Sequence, residues 1–449
     1  MLHSFCGLDF GTSNSTFGTL NPSSQQAILL PLEDNKVTLP SAIFFHFDLN
    51  ESFYGRAAIN EYIDGEFGRL MRSLKSVLGT PLMEETTQIK AQQLPFVDIL
   101  TSFLQNLKIK AEQSASPHGQ HSFEQVVLGR PVHFVDNDAQ ADLLAQDTLE
   151  QAAIRAGFND VIFQYEPIAA ALDYEQSVDQ EEIALIVDIG GGTSDFSVVR
   201  ISPERAKRAE RKDDILANGG VHIGGTDFDR KLSLASAMHE LGYKSSFKDK
   251  TATANFEKNF SIRKSVSKDT YTESTKMIMP SSYYHDLATW HRIHELYDRH
   301  TIHSLKDIAY RVENKQLIDR LINVINKREG HRLAIDIEHA KIELSSNAST
   351  HIDLDYVEQN LGLNISLEQL RDAVNNEIKN IQTQAFQTVQ DAGLVPSQIT
   401  KVFMTGGTTA IPMVKHAIEA LFPHTDIVQG DQFGSVGLGL AIDASRKFA

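Results

Sequence analysis

The sequence predicts an α/β protein made of two related halves, and three observations carry that prediction. Apolar strands alternate with helical patterns along most of the chain, a strand–Asp–turn–strand unit occurs twice, and 449 residues are too many for one ordinary core.

Composition sets the outer limits. Hydrophobic residues make up 41% and charged residues 22%, the balance of a folded chain rather than a disordered one. The 42 basic and 59 acidic residues leave a net charge of −17. Nucleic acid and anionic membrane are therefore not expected as general partners, since both need clustered positive charge. A nucleotide stays admissible, because backbone N–H groups and a metal ion can hold its phosphates locally. The single cysteine, Cys6, lies in the apolar run Phe5-Cys6-Gly7-Leu8 and reads as a small buried hydrophobe. No basic segment followed by a long apolar one opens the chain, and runs such as Ile183–Val187 are too short to span a bilayer. A cytoplasmic protein is the expectation.

Taken in order, Leu2–Leu8 reads as a buried strand, Gly11–Ser15 as a turn, and the following apolar stretch as its partner strand. Ala111–Ser122, with Pro117 and Gly119, reads as a polar connector ahead of the strand Gln125–Leu128. Ala139–Ala156 has helical spacing and a stop at Gly157. Ile183–Val187, Gly190–Gly192 and Phe196–Ile201 repeat the opening strand–turn–strand device. Leu367–Ala392 is a long helix with Ser366 as its cap and Gly393 just past its end. The least legible stretch is 241–330: Tyr243–Lys276 is polar and lysine-rich, Tyr283–Asn326 looks helical, and the whole reads as a lobe extension or lid.

The two turns align as Gly-Leu-Asp9-Phe-Gly11-Thr12-Ser13-Asn14-Ser and Ile-Val-Asp188-Ile-Gly190-Gly191-Gly192-Thr193-Ser. An Asp at a strand end is held by the sheet, and the small residues after it let backbone N–H groups approach phosphate oxygens. Mg²⁺ favours carboxylates together with water and phosphate oxygens, which makes Asp9 and Asp188 its natural anchors. One glycine turn after a strand is most often only a turn; the recurrence, with Asp in register, points to two hairpins gripping one triphosphate.

These segments, with Met404-Thr-Gly406-Gly407-Thr408-Thr-Ala410-Ile-Pro412, resemble the phosphate-1, phosphate-2 and adenosine motifs of the DnaK family of heat-shock ATPases. Tyr165-Glu166-Pro167-Ile-Ala-Ala-Ala is similar to the family's Asn-Glu-Pro-Thr-Ala-Ala-Ala, and Ile223-Gly224-Gly225-Thr-Asp227-Phe-Asp229 to its Leu-Gly-Gly-Glu-Asp-Phe-Asp. Glu338-His-Ala-Lys341-Ile342-Glu-Leu-Ser345-Ser and Arg72-Ser-Leu-Lys75-Ser-Val-Leu-Gly79 match two further landmarks in family order. The length and the insertion look closest to the short DnaK-like proteins of the YegD type.

The resemblance implies an actin-like ATPase fold, with duplicated ribonuclease-H-like lobes around a nucleotide cleft. Lobe I would be residues 1–178 with a C-terminal helix 431–449 returning to it. Lobe II would be 179–430, enlarged by 241–330, and no peptide-binding domain is expected. ATP or ADP with Mg²⁺ would be bound. Lys75, Glu166, Asp195 and Thr193 would act on the γ-phosphate and the attacking water. Gly11, Thr12, Ser13, Asn14, Gly190, Gly191, Gly192, Gly224 and Gly225 would approach the phosphates. Glu338, Lys341, Ile342, Ser345, Gly406, Gly407, Thr408, Ala410 and Asp431 would contact the nucleoside. Without the family, Glu338, Lys341 and Ser345 are one helix face (i, i+3, i+7), which is more often solvated. Ile342 and Ala410 stand where the family has two adenine-stacking arginines. Each such contact is worth roughly 0.5–2 kcal/mol, so their loss weakens ATP by about 10- to 100-fold. Pro131 matches a family proline implicated in interlobe signalling, but the arginine that normally follows is not evident across Val135–Ala141.

The function implied is a slow Mg-dependent ATPase, a chaperone-like or regulatory module whose partners are nucleotide and a co-chaperone or client protein. A pseudo-ATPase scaffold, an actin-like filament protein and a small-molecule kinase are the alternatives. The histidines around Trp290 (His285, His291, His294, His300, His303) match no standard zinc spacing and read as a solvated helix face.

Overall fold

The computed structural model describes residues 4–90, 92–118, 122–135, 138–175, 178–208, 210–248, 276–429 and 434–448. Two compact units emerge, Met1–Gly225 with Glu377–Ala449, and Thr226–Asn376.

The first unit contains two sheets of one plan. In the first sheet the strands are β1 (Phe5–Phe10), β2 (Asn14–Leu20), β3 (Ala27–Leu29), β4 (Gln125–Arg130) and β5 (Asp160–Tyr165), in the order β3-β2-β1-β4-β5. In the second they are β6 (Glu182–Ile189), β7 (Ser194–Ile201), β8 (Ile215–Val221), β9 (Lys401–Thr405) and β10 (Asp426–Gln429), in the order β8-β7-β6-β9-β10. In both, the opening hairpin is antiparallel, a third antiparallel strand follows on one side, and two parallel strands lie on the other. The internal duplication anticipated from the two aligned turns is thus carried through five strands of each sheet; the first sheet adds a short sixth strand, Thr38–Pro40, antiparallel to β2.

β1 and β6 are central strands covered on both faces, which is why they read as near-continuous apolar runs. Phe5, Cys6, Leu8 and Phe10 are buried in one, Ala184–Val187 and Ile189 in the other. The helices α1 (Phe96–Ala115), α2 (Ala139–Arg155), α3 (Glu166–Glu175) and α4 (Ser435–Phe448) cover them. One core gathers Phe103, Leu104, Leu107 and Leu149 of α1 and α2 against the first sheet. A second joins Ile168, Leu172 and Leu440 of α3 and α4 to Val127, Ile186 and Phe403 of both sheets.

Backbone approaches along α4 are close enough to require glycine. A Cβ on Gly439 would lie 1.8 Å from the Ala169 carbonyl oxygen, and one on Gly7 would lie 2.3 Å from the Ala441 nitrogen. The far end of α3 is anchored by charge. Glu175 is fully buried and accepts from both Nη atoms of Arg211 at 2.9 and 2.8 Å; Arg211 and Arg205 both pair with buried Asp214.

Several strands run further than their sequence signals indicated. β1 ends at Phe10, β4 at Arg130 and β6 at Ile189. Asp9 and Asp188 lie at the strand ends as expected, each one residue before the last, where the hairpin partner still pairs with them. α1 continues to Ala115, so the connector begins later than Ala111; Gly119 lies outside the described residues.

In the second unit, helical segments Ser281–Leu287, Trp290–Tyr297, Arg299–Ala309, Lys315–Asn326 and Gly330–Glu343 bury Tyr284, Leu287, Ile293, Leu305, Leu321 and Ile337. Ser246–Lys248 pairs with Lys276–Ile278; most of the stretch read as polar, 249–275, lies outside the described residues. The long helix spans Leu367–Asp391 and opens on a reciprocal cap, in which Gln369 N donates to Ser366 Oγ at 3.2 Å and Ser366 N to Gln369 Oε1 at 2.9 Å. Among the described residues no helix is long and apolar enough to cross a membrane.

Candidate functional site

The two hairpin turns meet. A Cβ on Gly191 would lie 2.0 Å from Ser13 Oγ, so the second turn reaches the first only because it is glycine there. Ser41 fixes the first turn from below: its Oγ donates to the Gly11 carbonyl at 2.6 Å and its N to the Ser13 carbonyl at 2.9 Å. Three segments tie down the second. Gly190 N donates to the Thr193 carbonyl at 3.0 Å, while the Gly190 carbonyl accepts from Gly225 N at 3.0 Å and Thr408 Oγ1 at 2.9 Å. Gly224 passes so close that its Cβ would lie 2.5 Å from Gly192 N. Gly406, at φ +82°, would put a Cβ 2.6 Å from Asp188 Oδ1. Gly11–Ser13, Gly190–Gly192, Gly224, Gly225, Gly406 and Thr408 are thus one assembly.

Charge gathers around it. Lys75, on the short 3₁₀ turn Leu74–Val77, donates to Glu166 Oε1 at 2.5 Å, with only 11% and 15% of the two side chains exposed. The Glu166 carboxylate rests over Gly129, whose Cβ would lie 3.2 Å from its Cγ. Burial, then the Glu166 charge, push Asp9 up to about 7, although Lys75 pulls the other way. Burial followed by Asp195, Glu166 and Asp9 push Asp188 up to about 8. Burial alone would lower the Lys75 ammonium, but Glu166 and Asp9 outweigh it and hold it above the usual lysine range. Three carboxylates, Glu166, Asp9 and Asp188, act on one ammonium, and Asp195 adds its charge beside Asp188; this excess of negative charge suits a hard divalent cation with water and phosphate oxygens completing its shell. Thr193 Oγ1 donates to Asp195 Oδ2 at 2.8 Å, so the hydroxyl expected to face phosphate is engaged by its neighbour.

A family model described as Hsp70 protein matches residues 88–272 and 304–445. The chain belongs to the Hsp70 family. Its sheets and paired turns are therefore those of the actin-like ATPase fold. The chain is 26% identical to the chaperone protein DnaK of Thermosipho melanesiensis and 24% to that of Thermosipho africanus. Each alignment covers 98% of this chain and 58% of the relative, so the chain spans less than two thirds of their length.

The remaining expected site residues divide unevenly. In the second unit Lys341 is 8% exposed and Nζ donates to Asp229 Oδ2 at 2.9 Å, so the helix face that reads as solvated is a buried ion pair. Ser345 lies past the end of the helix Gly330–Glu343, and its Oγ donates to the Lys341 carbonyl at 3.4 Å. Ile342 is 56% exposed, and Glu338 is half-buried. Gly407 and Ala410 form a 3₁₀ turn after β9. Asp431 lies outside the described residues. Among the described residues no three His, Cys, Asp or Glu side chains are arranged to hold a metal by themselves, which includes the described histidines around Trp290.

One residue had escaped sequence reasoning. Arg130, immediately before Pro131, is 8% exposed, with its guanidinium 5.2 Å from the Tyr165 ring centroid and 5.3 Å from that of Phe134. Its signal was the Arg-Pro pair at a strand end, but the partners that make it legible are spread over 35 residues of sequence.

Proposed function

We propose that this chain is a Mg-dependent ATP-binding module that hydrolyses ATP slowly and acts as a chaperone-like or regulatory partner of other proteins. The observation that carries the reading is the convergence of the two Gly/Ser/Thr turns beside Asp9, Asp188, Glu166, Asp195 and Lys75. Backbone N–H groups of Gly11–Ser13 and Gly190–Gly192 would cradle the phosphates. Asp9 and Asp188 would hold Mg²⁺, directly or through water, and the ion would neutralise charge on the β- and γ-phosphates.

Hydrolysis of a phosphoanhydride in such a site is positioning plus charge stabilisation, with no covalent protein intermediate. Lys75 would set its ammonium against the γ-phosphate. Glu166 fixes that ammonium in the free protein and would hold a water once phosphate competes for it. Asp195 would orient the attacking water, with Thr193 released from it to donate to the γ-phosphate. Glu338, Lys341, Ile342, Ser345, Gly406, Gly407, Thr408, Ala410 and Asp431 are proposed contacts to the nucleoside. Ile342 and Ala410 would give the base apolar surface in place of cation–π stacking.

The lobe boundaries at 178 and 430, the likeness to YegD-type proteins, a co-chaperone or client as partner and a cytoplasmic location all belong to this proposal. Calorimetric titration with Mg-ATP, run beside phosphate release, tests it. Binding with slow release that Asp195→Asn abolishes supports the ATPase. Binding without release converts the reading to a nucleotide-gated scaffold, and no binding overturns it.

A further inference from the structure

We propose that Arg130 is a positioning residue for Glu166, acting through Tyr165; the catalytic part of this claim rests on the reading of Glu166 given above. Arg130 and Tyr165 stand opposite each other at the ends of the parallel strands β4 and β5, and Glu166 follows at once as the first residue of α3. The guanidinium lies between the Tyr165 and Phe134 rings. Its fork makes four hydrogen bonds around them. Nε donates to the Pro131 carbonyl at 3.0 Å, Nη2 to the Val132 carbonyl at 3.2 Å and Asp142 Oδ2 at 2.8 Å, and Nη1 to Gln146 Oε1. Asp142 Oδ1 in turn accepts from Phe134 N at 2.6 Å, which closes the loop on itself.

The backbone at the same point is held from the other side. Tyr165 N donates to Gln164 Oε1 at 3.0 Å, and Gln164 Nε2 donates to buried Asp443 on α4 at 3.1 Å. Gly129, the residue before Arg130, supplies the bare backbone on which the Glu166 carboxylate rests. Arg130 therefore fixes both the floor under Glu166 and the ring beside its backbone. A planar fork with five donors can do this and an ammonium cannot, because lysine neither stacks between two rings nor reaches four acceptors at once.

Two readouts test this, one independent of turnover. Lys75 is shielded by its bond to Glu166, so its acylation by an amine-reactive ester, followed by peptide mass spectrometry, reports where Glu166 is. Arg130→Met is expected to speed Lys75 acylation by about 10-fold while Lys341 stays at its wild-type rate, and to lower kcat for phosphate release by about 10- to 100-fold with KM little changed. Arg130→Lys should fall between. Tyr165→Leu should reproduce the effect, and the double variant should be no worse than either single one. Unchanged acylation and turnover in Arg130→Met, additive effects in the double variant, or parallel acceleration at Lys341 would each overturn the proposal. If Arg130→Met does not fold, Arg130→Lys and Tyr165→Leu decide the matter. If the wild-type chain releases no phosphate, the ATPase reading fails while the acylation rates still judge the positioning role.

Discussion

Replacing Lys75 by methionine isolates the electrostatic logic of the site. The substitution keeps most of the side-chain volume and strands Glu166 beside Asp9 and Asp188, with the largely buried partner gone. Removing one member of a buried pair costs about 3–5 kcal/mol when the remaining charge has nowhere to go; the residual exposure of both side chains puts the expected loss near the lower figure. Across a unit of roughly 300 residues that loss lowers the melting temperature by about 5 °C. The pH dependence has a definite sign. Asp9 and Asp188 titrate at about 7 and about 8 in the folded chain against 3.8 for an ordinary aspartate, so the fold holds extra protons between those limits. Stability therefore declines as pH rises from about 4 to about 8 and levels off above. Without Lys75 the carboxyls are pushed higher still, and the gap between variant and wild type should widen from pH 5.5 to pH 8.5. Scanning fluorimetry of the nucleotide-free chain across that range measures it. A gap that is absent, or constant with pH, would refute the view that Lys75 neutralises this cluster.

Four further outcomes follow from the same geometry. Mg-ATP should bind more tightly from pH 6 to pH 8.5 and release protons as it binds, because a cation requires ionised Asp9 and Asp188; heats that do not vary between buffers of different ionisation enthalpy would contradict this. Gly129→Ala should lower the rate of phosphate release, since the new methyl would lie 3.2 Å from Glu166 Cγ, and should lower the melting temperature only modestly, since its other contacts, led by Leu440 Cδ1 at 3.1 Å, are side chains rather than backbone. Gly439→Ala should destabilise by at least about 1–3 kcal/mol in thermal melts, because its methyl meets the Ala169 backbone and α3 must move. Arg211→Met leaves Glu175 buried without its cation and Asp214 with Arg205 alone, and should cost about 3–5 kcal/mol in the same melts, relieved at low pH.

The parts of this molecule that were legible in advance are those with a local cause. Strand-end aspartates followed by glycines, the Ser366 cap and the long amphipathic helix after it each announce themselves within a few residues, and two copies of one turn make the duplication visible. What stayed hidden depends on partners far apart in sequence. Lys341 looks solvated until Asp229, 112 residues away, is placed beside it. Arg211 reads as one charge in a polar run until Glu175 arrives from α3. The Arg130 stack needs two rings, a carboxylate and two carbonyls that no spacing rule connects. Even the strand ends were set by cross-strand pairing, which a single strand's composition does not record.

One difference between the two repeats falls where direction matters. Seven residues after Asp9 the hairpin partner is Thr16; seven residues after Asp188 it is Asp195. A cradle built twice from one plan would accept a chain of phosphates head-first or tail-first with equal ease. Exchanging a hydroxyl for a carboxylate on one side only would give such a cradle a front and a back, and so turn a symmetric grip into an oriented one.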